Sequence, residues 1–510
     1  MMNFQILSVT LFAPLAGALL ILVIPQEDVK SIRRIGVAFA FLTLVLTTII
    51  WVGVAQAGAA GMSFSEQYPW IPAFNVQYHL GVDGLSAPLL FLIALLTTLS
   101  LFYSSRTIEM RVKEYYFLFL LLETASLGIF LALDLVLFYV FWEVSLVPVF
   151  LLIGVWGREQ REHAAIKFFL YTLAGSVAML LAIIGVYFQA RTFDILGAAE
   201  FQPFAGSFTW ANIAFLAFFV AFAIRTASFP FHTWLPEAHA EAPTAGSVAL
   251  AGISLTMGAY GLIRIALPLF PEPFHYFVLQ VPVIPVVAIT SIVYGALVCM
   301  AQWHLKRLIA YSSVVHMGYV TLGTCAAVAS IGTLNSPEAL NAAASGLNGA
   351  AMQMFAHGII TGGMFFLAGI IYERTHTDDL KDLGGLASQV PYIYGIAMVT
   401  GLALLGLPGL AGFWGEFFVF RSTMGFIPIA AFIGILGLVF TAACILWKMV
   451  QHIFLGQLNR RKWGRLQDMA WWEKATMWPL VLVMIFLGLY PAPVLDMFNA
   501  ALTALLQALP

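Results

Sequence analysis

Charge is scarce in this sequence: 9% of its 510 residues are Asp, Glu, Lys or Arg, against 61% hydrophobic. A soluble domain carries about 25% charged residues, so an aqueous surface all round is excluded and most of the exterior must face lipid. A basic excess is missing too. The formal net charge of −2 gives no basic balance of the kind that nucleic acid requires. Cysteine is nearly absent, and Cys299, Cys325 and Cys444 each stand isolated in an apolar run. None has the spacing of a zinc site, a haem attachment or an iron–sulfur cluster. The phosphate-cradling glycine patterns of dinucleotide and nucleotide sites are lacking as well. No cofactor or metal site is therefore expected within the chain.

Long apolar runs are abundant. A helix needs about 20 apolar residues to cross the hydrocarbon core, and that ruler finds about fourteen candidate spans. They lie near 6–24, 36–55, 85–103, 115–132, 135–156, 167–189, 211–230, 245–267, 277–300, 308–330, 346–372, 393–423, 426–451 and 477–497. The first lacks a basic leader and reads as a retained helix rather than a signal peptide. If the count is right, nineteen of the 23 basic residues fall beside loops on one side, and only Arg191, Arg264 and Arg421 on the other. Such an asymmetry marks the cytoplasmic side, so both termini are expected outside, on the periplasmic side of a bacterial inner membrane. The loops near 57–84, 190–210 and 452–476 are too poor in apolar pattern for cores of their own. The aromatic 57–84 loop suits an interfacial cap. The fold expected is thus an all-α, polytopic, single membrane domain.

Ionisable groups at bilayer depth cost at least a few kcal/mol and mark function by default. Glu123, Glu143, Arg225, His316, His357 and Glu416 all sit inside apolar runs. A buried ion pair between Glu143 and Arg225, or satisfied core histidines, would be the structural alternative. Lys167 and Lys306 stand at span starts, where snorkelling to the interface is common. Two spans carry a second signal. The seventh runs into Pro230, Pro236 and Pro243, and the twelfth holds Pro408 among Gly401, Gly406, Gly409, Gly412 and Gly415. Proline removes a backbone donor and clashes with the preceding turn, so both helices should break. Unwound backbone at that depth is tolerated only inside protein or beside a polar cavity. The breaks are five spans apart, as in two inverted repeats of spans four to eight and nine to thirteen, an arrangement that points to an ion path. Four residues separate Gln353 from His357, Ser312 from His316 and Thr256 from Tyr260, so each pair shares a helix face. These groups could support a water chain. The divisions expected are 1–110 for N-terminal helices, 115–267 and 277–451 for the repeats, and 452–510 for a C-terminal helix.

The segments FYVFWEVSLVPVFLLIGVWG (138–157), AAIKFFLYTLAGS (164–176), PFHTWLPEAHAEAPTAGSVALAG (230–252) and LKRLIAYSSVVHMGYV (305–320) resemble the antiporter-like proton-pumping subunits of NADH:quinone oxidoreductase, complex I. DGLS at 83–86 and YPAPVLD at 490–496 agree, and the likeness runs through nearly all of the chain. Glu416 in GFWGEF is similar to the chain-4, or M, type; related Mrp-type antiporter and chain-2 subunits carry lysine there. The resemblance implies a membrane-arm subunit that moves H⁺ through a hydrated axis, with Glu143, His316, His357 and Glu416 at matching positions. It implies NADH, FMN, iron–sulfur clusters and quinone in partner subunits. It also implies antiporter-like neighbours, the lateral helix of a chain-5 subunit, and lipid. Two positions depart: Arg225 and Thr256 stand where that family has lysines. Arginine stays charged and does not readily release a proton, and threonine carries no charge. Two other readings remain open here, a subunit of a multisubunit Na⁺/H⁺ antiporter and a non-pumping scaffold in a hydrogenase or CO₂-uptake complex.

Overall fold

The computed structural model describes residues 5–331 and 336–509. Thirteen of its helices are long and apolar enough to cross a membrane, and two shorter pieces make a fourteenth crossing. In chain order these are α1 (Ile6–Val23), α2 (Val29–Gln56), α3 (Ser86–Thr107), α4 (Val112–Leu131), α5 (Leu135–Trp156) and α6 (Arg161–Ala190). The short α7 (Ile195–Phe201) precedes α8 (Phe208–Arg225), α9 (Trp234–Glu241) and α10 (Thr244–Leu269). Then come α11 (Val283–Ala301), α12 (Leu305–Ala329), α13 (Pro337–Thr375), α14 (Pro391–Leu404), α15 (Gly412–Phe426), α16 (Pro428–Leu455) and α17 (Trp471–Leu489). An amphipathic α18 (Ala492–Gln507) ends the series.

Both expected interruptions are present. The seventh crossing stops at Arg225 and resumes as α9, with Pro230 between. The twelfth stops at Leu404 and resumes at Gly412. Between them lie Pro408 and two glycines in the left-handed region, Gly406 (φ 67°) and Gly409 (φ 91°).

Several boundaries differ from the sequence reading, and the span expected at 346–372 runs from Pro337 to Thr375. The span expected at 477–497 is α17, and Pro491 separates it from α18. The loop expected at 57–84 contains an antiparallel hairpin of β1 (Phe64–Ile71) and β2 (Val76–Val82), a small addition to an otherwise α-helical fold. This hairpin ties helix ends together. The Glu66 carboxylate accepts from the amides of Leu7 (2.8 Å) and Ser8 (3.1 Å) at the start of α1, where unpaired N–H groups favour an anion. His79 Nδ1 lies 2.6 Å from Asp194 Oδ2 before α7. Asp134 caps α5 through the amides of Val136 and Leu137 and also accepts from Gln77 of β2. Burial works against the Asp194 carboxylate, but the bonds from His79 and the Gly197 amide hold it below the ordinary carboxylate range.

Burial sorts the helices by layer. The apolar stretches of α10 and α13 are wholly buried, whereas those of α2, α6 and α16 are mostly outside the core. Their outward faces carry Phe41, Ile49, Leu170, Leu181, Ile429 and Phe432, as a lipid-facing surface demands. The 39 residues of α13 rise about 58 Å at 1.5 Å each, well beyond the roughly 30 Å hydrocarbon core. At its middle the backbones of α13 and α15 touch, because Gly349 lies against Val419 and Gly415 against Gln353.

Candidate functional site

The second break gathers a polar cluster. His316 of α12, Gln353 and His357 of α13, and Glu416 of α15 are all at most 3% exposed. Gln353 Nε2 lies 2.7 Å from His316 Nδ1. An amide nitrogen can only donate, so neutral His316 carries its own hydrogen on Nε2, an atom with no partner here. Glu416 Oε1 stands 3.8 Å from His316 Nδ1, and the rings of His316 and His357 are 5.5 Å apart. Thr361 Oγ1 meets His357 Nδ1 at 2.9 Å. Nε2 of His357, Oε1 of Glu416 and Oε1 of Gln353 have no hydrogen-bond partner. Buried polar atoms are usually satisfied by protein or water, so this concentration of open valences fits a hydrated cluster.

The break itself shapes the site. Gly406 sits against the Glu416 carboxylate, where a methyl group would collide with it. Gly406→Ala therefore combines a left-handed backbone, roughly 1–2 kcal/mol for a residue with Cβ, with a displaced carboxylate. This variant is expected to lose most proton movement, whereas Gly395→Ala, with open space around it, should keep it. A proton-uptake assay on the assembled complex would check both.

Polar wells open at opposite ends of α13. One of about 600 Å³ is lined by Glu338, Ser345, Asn348, Arg421, Asp496 and Asn499. The other, about 1160 Å³, includes Arg158, Glu241, His304, Arg307 and Asp378. The cluster lies between them along the helix.

The first break is built differently. Arg225, fully buried at the end of α8, donates through Nη2 to Ser145 Oγ (2.6 Å) and Met257 Sδ (3.2 Å). Its guanidinium carbon lies 5.0 Å from the Trp142 ring centre, and Nε and Nη1 are unpartnered. The direct ion pair with Glu143 is not formed: among the described residues no Arg225–Glu143 contact falls within ion-pair distance. Helical phase explains this. Trp142 and Ser145, three apart, share the inward face of α5, while Glu143 is half-buried on the flank near exposed Val140 and Val147.

The remaining candidates scatter. Lys167 does not snorkel free; its Nζ meets Glu237 Oε1 of α9 at 2.7 Å. Lys306, 1% exposed, donates to the Ala242 carbonyl at 2.7 Å and is not free either. Thr256 turns its hydroxyl onto Ile253 O of its own helix (2.7 Å). Tyr260 reaches Ser86 (3.1 Å) and Phe130 O (3.2 Å) instead of joining it. Ser312 likewise bonds its own helix at Ile309 O (2.7 Å) and stays out of the cluster. Glu123 is fully buried with both oxygens unpartnered, and belongs to neither break.

Sequence reading passed over His232 and His239. Both are buried with unpartnered ring nitrogens, and His239 stacks on Phe365 of α13 at 4.3 Å. Their seven-residue spacing in HTWLPEAH, two helical turns, was the available signal. Ion pairs also escaped it, among them Asp83–Arg264, Arg374–Glu473 and Arg158–Asp378. Among the described residues no three His, Cys, Asp or Glu side chains converge as metal ligands would.

Known proteins share this architecture. A family profile described as NADH:quinone oxidoreductase/Mrp antiporter, TM, matches residues 132–441. The chain is 38% identical over 512 aligned residues to NADH-quinone oxidoreductase subunit M of Rickettsia bellii, covering 99% of both. It is 39% identical over 518 to subunit M of Rhodobacter capsulatus, covering 99% of this chain and 96% of the relative. A chain of respiratory complex I from Thermus thermophilus superposes with a TM-score of 0.85 at 31% identity, covering 98% of this chain and 99% of that one. With that fold and those relatives, the chain belongs to the antiporter-like, membrane-embedded subunits of NADH:quinone oxidoreductase, of the M (chain 4) type.

Proposed function

We propose that this chain moves protons as a membrane-arm subunit of a complex I-type NADH:quinone oxidoreductase and carries no electrons itself. The observation that supports this most is the His316–Gln353–Glu416–His357 cluster, buried at a broken helix with open valences and flanked by two polar wells. A carboxyl group 3.8 Å from an imidazole is within reach of proton exchange through one intervening water. NADH, FMN, iron–sulfur clusters and quinone belong, in this reading, to partner subunits. Antiporter-like neighbours adjoin at both ends, the lateral helix of a chain-5 subunit runs alongside, and lipid covers the rest. Both termini face the periplasm, and residues 115–267 and 277–451 act as the two repeats, between N-terminal helices in 1–110 and the C-terminal 452–510.

The two halves divide the work unequally. Arg225 keeps its charge and Thr256 is committed to its own helix, so neither takes up and releases a proton in turn. Arg225 is a fixed electrostatic gate beside Trp142 and Ser145, and the transferable protons sit on the histidines and Glu416. Arg225→Ala is expected to lower the H⁺ moved per two electrons in the intact complex, and Arg225→Lys to retain most of it. An unchanged ratio with alanine would reduce Arg225 to packing and favour a non-pumping scaffold.

A further inference from the structure

Cys299 and Cys444, 145 residues apart and isolated in sequence, meet in the fold. Their sulfurs are 3.5 Å apart, one from α11 and one from α16, and both side chains are fully buried. A disulfide holds its sulfurs at about 2.05 Å, so closing the bond needs an approach of about 1.5 Å. Lys448, one helical turn beyond Cys444, donates to the Gln302 carbonyl and lies over Trp303 at 4.2 Å.

The helix just beyond Cys444 gives the pair its consequence. Residues 445–455 form a π-helical stretch, an uncommon and less stable winding that tends to occur where function requires it. Ile445 and Met449 from this stretch pack against Gly401 of α14, the first half of the broken twelfth crossing. A covalent tie from α11 to Cys444 would fix the root of that stretch and, through it, the helix leading into the Glu416 break.

We infer that Cys299 and Cys444 form a reversible, oxidant-driven disulfide that staples α11 to α16 and restrains the broken helix. Burial limits the oxidant to a small uncharged species, and hydrogen peroxide fits. The Cys444 sulfur attacks one peroxide oxygen, the O–O bond breaks and water leaves, giving a sulfenic acid. The Cys299 sulfur then attacks that sulfur and displaces hydroxide, which takes up the remaining thiol proton as a second water. Two thiols lose two electrons and peroxide gains them. The chemistry stands on the sulfur contact; its effect on pumping rests on the proton-translocating reading.

The test treats membranes carrying the assembled complex with hydrogen peroxide, blocks free thiols with N-ethylmaleimide, and maps peptides by mass. The expected product joins the Cys299 and Cys444 peptides with loss of two hydrogens, is cleaved by dithiothreitol, and leaves Cys325 unpaired. Independent sulfinic or sulfonic acids, or untouched thiols, would overturn the staple. Proton movement should fall on oxidation and recover with dithiothreitol in the native chain, but stay constant in Cys299→Ser and Cys444→Ser. A cross-link that leaves native proton movement unchanged would overturn control of the broken helix while keeping the disulfide. Because peptide mapping needs only the native chain, poor assembly of a serine variant does not obscure the chemistry.

Discussion

Replacing Glu416 by glutamine is expected to abolish proton translocation through this subunit while leaving its fold intact. Glutamine has nearly the size of glutamate and fits beside Gly406 and His316, so packing around the second break is kept. What is lost is the group that can bind and release a proton 3.8 Å from His316. Removing a positioned acid or base slows proton transfer by about 100-fold or more, enough to silence this subunit on the time scale of turnover. Glu416→Asp should retain part of the function, since the shorter carboxylate can still reach His316 through water. The measurement is the H⁺ moved per two electrons in the intact complex, together with coupled NADH:quinone activity. Native stoichiometry in Glu416→Gln would remove the main support for the proposed path.

Asp83→Ala should have the largest effect on stability. The Asp83 carboxylate pairs with Arg264, and both are nearly excluded from solvent, at 3% and 5% exposure. Its other oxygen accepts from the amides of Leu85 and Ser86, each at 3.0 Å, at the start of α3. Alanine would strand the Arg264 guanidinium in the interior, which costs about 3–5 kcal/mol. Loss of the bonds at the α3 start adds about 1 kcal/mol. The expected result is a lower unfolding temperature in detergent and less subunit recovered in the assembled complex. Adding Arg264→Met should recover much of the loss, because the stranded charge goes and the two changes are not additive. Equal instability of the single and double variants would mean that shape, rather than charge, dominates at this site.

Both breaks were legible in the sequence because proline stands there in company, Pro230 with Pro236 and Pro243, and Pro408 among glycines, whereas Pro14, Pro148 and Pro479 stay inside continuous helices. The count of crossings was legible for a similar reason, since hydrophobic length and basic asymmetry need no tertiary information. The depth of His316, His357 and Glu416 came from the apolar runs that hold them. Partnership did not. Gln353, four residues before His357, bonds His316 across a helix interface instead, and His357 takes Thr361. A helix apolar on every side gives no phase from which to read an inward face, so the separation of Glu143 from Arg225 was invisible. Contacts such as Lys167–Glu237 and Asp83–Arg264 join residues 70 and 181 positions apart, and only packing brings them together. The hairpin was missed because β1 is exposed along nearly all its length, leaving no alternating pattern to read, and its aromatic residues also suit an interface. DGLS held Asp83 in plain view, yet nothing local names the arginine it serves.

The length of α13 has a mechanical meaning. Its backbone is one unbroken hydrogen-bonded ladder from Pro337 to Thr375, and such a ladder is stiff along its axis. The end near Glu473 is clamped by Arg374 through two short bonds, 2.6 and 2.8 Å. Asn348 holds Asn499 of α18 toward the other end. Gln353 and His357 ride between these anchors, so they keep a fixed spacing from both mouths. A push at either clamp would carry the two side chains together, as fittings on a single piston.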